Sequence, residues 1–128
     1  MPNELPRYRA LIVEDDPAIR RLVEKLLQRR GVAIEAAHDG RQAINKLDAN
    51  NRFDVIILDL MVPEVNGFQV IDYIREHHSH IPVAVVSAVS QQALTQLDLD
   101  IVKLVISKPF DVDEFTKAIL SLCEDRAA

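Results

Sequence analysis

VIILDLMVPEVNG, residues 55–67, runs from four consecutive aliphatic residues into a single carboxylate, Asp59, and then into a loop containing Pro63 and Gly67. An apolar run without polar alternation suits a strand covered on both faces, as in a parallel sheet between helices. A carboxylate ending such a strand is held in a fixed place at the edge of the core.

Similar strand-like runs recur outward from this segment: YRALIV near 8–13, VAIEAA near 32–37, DVIIL near 54–58, IPVAVV near 81–86 and KLVIS near 103–107. Helical spacing fills the intervals, with Ile19, Leu22, Val23, Leu26 and Leu27 in the first, Ala43, Ile44 and Leu47 in the second, and Phe68, Ile71 and Ile74 in the third. A short fourth helix is expected over SQQALTQLD, residues 90–98. A fifth is expected over DVDEFTKAILSLCED, with Val112, Phe115, Ile119 and Leu122 on one side. Asp16 followed by Pro17 reads as a helix N-cap with proline at the first helical position, and Gly31 ends that helix. The pattern is (βα)5, which implies right-handed crossovers and a doubly wound parallel sheet with helices on both faces.

The 128 residues suit one domain that buries roughly two-thirds of its unfolded surface. Apolar residues make up 48% and charged residues 27%, and no apolar stretch approaches the roughly 18 residues of a membrane span. With no apolar signal core at MPNELPRYRA, a cytoplasmic location is expected. Twenty acids against fifteen bases argue against nucleic-acid binding by this domain itself. Cys123, the only cysteine, falls on the apolar side of the last helix and reads as a packing residue rather than a reactive thiol.

Ligands of open α/β sheets sit outside the carboxyl ends of the strands, where the strand order reverses. Glu14 and Asp15 follow the first strand, Asp59 ends the third, Ser87 follows the fourth and Lys108 the fifth. In the order 2-1-3-4-5, the first and third strands are neighbours at that reversal. Crowded carboxylates call for a divalent cation, and an oxygen-only donor set favours magnesium, with manganese as the alternative. A carboxylate, an oxygen-liganded metal, a lysine and a hydroxyl together suit phosphoryl transfer.

The segments LIVEDDPAIR, VIILDLMVPEVNGF, VVSA and SKPF resemble, in order and over residues 8–124, the signatures of the response-regulator receiver domain. That resemblance implies a single flavodoxin-like domain, the 2-1-3-4-5 strand order, and Asp59 as acceptor of a phosphoryl group from a phosphohistidine. It further implies that Asp15 binds the metal directly, that Glu14 helps through water, and that the main-chain carbonyl of Met61 completes the protein's share of the shell. Ser87 and the backbone N–H of Ala88 would receive phosphoryl oxygens and Lys108 would pair with them, its bond to Pro109 being cis. The implied partners are a sensor histidine kinase or histidine phosphotransfer protein and a downstream effector domain or protein. The output is binding rather than turnover, so the domain is not expected to act as an enzyme. Two copies could pair through the fourth helix, fifth strand and fifth helix. Within Arg20, Arg21, Lys25, Arg29 and Arg30, the basic side of the first helix, Arg20 and Arg21 are the candidates for kinase contact.

Several positions depart from the family pattern. Val105 stands where receivers commonly carry Tyr or Phe, so a smaller rearrangement of the 88–107 surface is expected to report phosphorylation. Met61 and Val89 are apolar where some receivers orient water, which predicts a dry site and a long-lived phosphoaspartate. Leu97, Leu99 and Ile101 are expected to pack under the fourth helix, an exposed partner surface being the alternative. His77, His78 and His80 in REHHSH read as a solvated loop after the third helix. Haloacid-dehalogenase-like enzymes share an aspartyl nucleophile but place a second Asp two residues on, where this chain has Met61. A phosphorylation-independent scaffold with the same fold is the remaining alternative, kept open by Val105.

Overall fold

The computed structural model describes residues 7–50, 52–88, 94, 95 and 97–127. Strands and helices alternate: β1 (Tyr8–Val13), α1 (Pro17–Gln28), β2 (Val32–Ala37), α2 (Gly40–Ala49), β3 (Val55–Leu58), α3 (Gly67–His77), β4 (Val83–Ser87), β5 (Val102–Ser107) and α4 (Val112–Ala127). All strand pairs are parallel and the order is β2-β1-β3-β4-β5, as expected for a flavodoxin-like sheet. The expected helix over 90–98 falls largely outside the described residues, so the helix over 112–127 is α4. β4 begins at Val83 rather than Ile81 because Pro82 has no N–H to give to a ladder.

The central strand explains the absence of polar alternation. Ile56 and Leu58 enter one core with Ala43, Leu47, Val70, Ile71 and Ile74 of α2 and α3. Val55 and Ile57 enter the other, with Val23 and Leu27 of α1 and Phe115, Ile119 and Cys123 of α4. β1 divides in the same way, Leu11 and Val13 against Ala10 and Ile12. Each fully buried aliphatic side chain contributes about 1.5–3 kcal/mol relative to an exposed one, so β3 is anchored from both sides. The edge strand β5 instead alternates, with Val102 buried and Leu104 and Ile106 half-buried between exposed residues.

Helix starts follow local side-chain chemistry. Asp16 accepts from the N–H groups of Ala18 and Ile19 at 2.9 and 3.4 Å, with Pro17 opening the helix. Asn66 and Gln69 form a reciprocal capping box at α3, with bonds of 3.0 and 3.1 Å. Gly31 takes φ +84° just after α1, where a side chain would be strained.

Gly67 is needed for space rather than for its dihedral angles. A Cβ there would stand 2.3 Å from the Leu60 Cα and 2.8 Å from the Asp59 carbonyl oxygen. Gly67→Ala should therefore lower stability by about 1–3 kcal/mol, read as a lower urea midpoint at unchanged m-value. Burial pushes the Cys123 thiol up to about 12, with Asp54 and Glu124 adding to the effect. Native protein should accordingly resist thiol reagents at neutral pH, and labelling should proceed at the rate of opening; rapid modification would contradict the buried placement.

Candidate functional site

Strand register brings the polar residues together. Val13 of β1 pairs with Leu58 of β3, so the next residue on each strand is a carboxylate, Glu14 and Asp59. Ser87 of β4 pairs with Ser107 of β5, so Ala88 and Lys108 follow side by side. The ladder's last rungs hold these positions: Glu14 N–H donates to Ala37 O at 3.1 Å, Asp59 N–H to Val13 O at 3.0 Å, and Lys108 N–H to Ser87 O at 3.1 Å. Glu14, Asp59 and Ser87 are buried, while Asp15 and Ala88 are exposed.

Both oxygens of Asp59 are engaged. Lys108 Nζ donates to Asp59 Oδ2 at 3.0 Å and to Glu14 Oε1 at 2.6 Å. Ser87 Oγ donates to Asp59 Oδ1 at 3.2 Å, and the Met61 N–H donates to the same oxygen at 3.0 Å. Burial works against ionisation of Asp59, but the Met61 N–H and Lys108 outweigh it and hold its carboxyl below the ordinary aspartate range. Burial pushes Glu14 up, helped by the charge of Asp59 and opposed by the bond from Lys108. Burial would lower Lys108, yet its two carboxylate partners raise it. Asp59 is therefore ionised at neutral pH and faces a charged ammonium.

Glu14, Asp15 and Asp59 each offer a carboxylate oxygen, and these atoms lie within 4.8 Å of one another. Three carboxylates gather beside one lysine, and the donors are hard oxygens, a set that fits magnesium or manganese. Asp16 is turned to capping α1 and takes no part in this group. The Lys108–Pro109 bond is cis, as expected.

Other expectations are corrected. Leu97 and Ile101 join the core, but Leu99 is 71% exposed. Met61 is 66% exposed, so its side chain does not enclose the carboxylate; Val89 lies outside the described residues. In the histidine run His77, the last residue of α3, and His80 are exposed, and the solvated reading fails at His78 alone. His78 is buried and its Nε2 lies 3.1 Å from Asp48 Oδ1 on α2, while the Tyr73 hydroxyl donates to the same carboxylate at 2.7 Å and stacks on His77. A turn in which Ile81 N–H reaches the His78 carbonyl at 3.0 Å folds the chain back here. Arg20, a candidate for kinase contact, is half-buried, and its Nη1 donates to the Glu14 carbonyl at 3.1 Å. No local pattern signals either contact, because both join residues whose proximity arises from folding.

The response regulator receiver domain model matches residues 10–120. The transcriptional regulatory protein TrcR of Mycobacterium tuberculosis is 39% identical over 80 residues, 62% of this chain and 31% of its own length. The response regulator MprA of a Mycobacterium species is 32% identical over 115 residues, covering 89% of this chain and 50% of the relative. The chain thus spans about half the length, or less, of these curated relatives. Among solved structures, the Francisella response regulator 1452 receiver domain superposes with a TM-score of 0.85 at 25% identity, covering 93% of this chain and 98% of that one. TrrA of Thermotoga maritima, in complex with magnesium and beryllofluoride, gives 0.80 at 29% identity, covering 90% and 98%.

The Asp48 contact has a pH signature. Hydrogen bonds from Tyr73 and then His78 lower the Asp48 carboxyl below its ordinary 3.8. A depressed acid contributes its stability in full above the unfolded value and loses it as pH falls through the folded one. In acid denaturation, Asp48→Asn should flatten the loss of stability below pH 3.8; parallel curves for variant and wild type would refute the coupling.

Proposed function

The chain belongs to the response regulator receiver domain family, and on that premise we propose that it is a phosphorylation switch in which Asp59 accepts a phosphoryl group from a phosphohistidine. The donor is a sensor histidine kinase or a histidine phosphotransfer protein. One observation carries the reading: a buried, ionised carboxylate at the end of a central strand, bonded on one oxygen by Lys108 and on the other by Ser87 and the Met61 N–H.

An Asp59 oxygen attacks phosphorus, a new O–P bond forms, and the P–N bond to the donor imidazole breaks. The departing nitrogen keeps the bonding electron pair and takes up a proton. Lys108 and Ser87, already on the carboxylate, turn to the transferred oxygens together with the Ala88 N–H, supplying positive charge and donors where negative charge develops. Glu14, Asp15, Asp59 and the main-chain carbonyl of Met61 would hold magnesium. When bound, that ion neutralises charge on the phosphoryl oxygens.

The output is a changed surface over 88–107 that controls an effector domain or partner protein. Relatives described as transcriptional regulators, about twice this length or more, support an effector of that kind. Residues 8–124 form the switching unit, acting in the cytoplasm by binding rather than turnover; no helix among the described residues is long and apolar enough to cross a membrane. Two copies pair weakly through the face formed by the 90–98 segment, β5 and α4. A phosphorylation-independent scaffold is the second reading, favoured by one observation: Val105, on the exposed side of β5, has no ring to turn inward.

Incubation with acetyl phosphate and magnesium should add one phosphoryl group by intact mass, and Asp59→Asn or chelation should abolish the gain. No gain in a folded protein that also fails to bind beryllofluoride would favour the scaffold. After removal of the donor, the modification should persist for minutes or longer, because no polar side chain at Met61 orients an attacking water. Decay within seconds, without any phosphatase, would contradict that account.

A further inference from the structure

We propose that Arg20 is a positioning residue for the acidic loop: its guanidinium holds the Glu14–Asp15 peptide in place and thereby strengthens divalent-cation binding, an inference that rests on the metal-assisted reading of the site. Three residues carry the chain from β1 into α1, and Glu14 and Asp15 are two of them. The carboxylate of Glu14 is anchored by Lys108 at 2.6 Å and by the Asp16 N–H at 3.3 Å. Asp59 is anchored by Lys108, Ser87 and Met61. Asp15 is exposed, so packing does not orient it. Its direction depends on the backbone that carries it.

Arg20 acts on that backbone. Its Nη1 donates to the Glu14 carbonyl at 3.1 Å, past the last paired residues of β1. Its own N–H donates to the Asp16 carbonyl at 3.0 Å in the first turn of α1. Two bonds from one residue therefore close a ring around Glu14, Asp15 and Asp16. Because the peptide unit is planar, holding the Glu14 oxygen also sets the orientation of the Asp15 N–Cα bond, which narrows the range open to the Asp15 carboxylate. Outer hydrogen bonds that orient ligands commonly carry about 10–100-fold in metal affinity.

Charge and positioning predict opposite signs, which makes the role separable. A guanidinium near a dication repels it, so removing the charge alone would tighten binding. Removing the positioning bond would weaken it. Lysine retains the charge but offers a compact donor on a flexible stem, without the planar fork.

Magnesium titration by calorimetry, alongside urea denaturation in chelator, tests this. Arg20→Ala should bind magnesium about tenfold more weakly than wild type, with a urea midpoint in chelator close to wild type. Arg20→Lys should recover only part of the affinity, and carries the test alone if the alanine variant does not fold. Arg21→Ala, which removes the same charge one residue on, should leave affinity unchanged or slightly tighter. Equal or tighter binding by the Arg20 variants, or equal weakening by Arg21→Ala, would overturn the inference while the metal site stands. A wild type that binds no magnesium would instead overturn the reading of the site, and this inference with it.

Discussion

A single ammonium, Lys108 Nζ, is shared between the buried carboxylates of Glu14 and Asp59 at 2.6 and 3.0 Å. Buried charges are tolerated when paired and hydrogen-bonded, and are strongly unfavourable otherwise. This lysine therefore ties the end of β5 to the ends of β1 and β3, across the width of the sheet. The same arrangement sets three carboxylates beside one lysine, a set that suits a divalent cation. Burial outweighs pairing at Glu14 and raises its carboxyl, whereas the Met61 N–H and Lys108 lower that of Asp59.

What holds the lysine opposite those carboxylates is the ladder. A one-residue slip of β3 against β1 would send Asp59 and its whole strand to the wrong faces. Four aliphatic residues clamped between two cores prevent that slip, with Ile56 and Leu58 on one side and Val55 and Ile57 on the other. Behind Asp59, the loop can return to α3 only because Gly67 has no Cβ to meet Leu60. Core packing and site chemistry are thus one requirement: the apolar residues supply the precision that the polar ones use.

Away from the site, α2 and α3 are joined at their C-terminal ends by Asp48, Tyr73 and His78. Helix C-termini in a βα unit lie near the opposite edge of the sheet from the strands' carboxyl ends, so this polar tie and the acidic site occupy different ends of the domain. It couples the two helices that cover one core without entering the chemistry.

Much of this was legible in the chain itself. Unbroken aliphatic runs alternating with helical spacing require a parallel sheet covered on both faces, and Asp16-Pro17 marks a helix start from local hydrogen bonding alone. Placing Glu14, Asp59, Ser87 and Lys108 at the carboxyl ends of their strands followed from the same pattern, because those ends of parallel strands all lie on one edge. Three features had no such signature. His78 reads as wet in sequence but is buried against Asp48, thirty residues away; Leu99 reads as core but is exposed; Arg20 reads as a surface charge but bonds to the Glu14 carbonyl. The sequence by itself determined the elements and the edge on which the chemistry gathers, since periodicity and capping act within one segment. Only the tertiary structure decided which donor meets which acceptor, since those contacts depend on register and on how helices pack over the sheet.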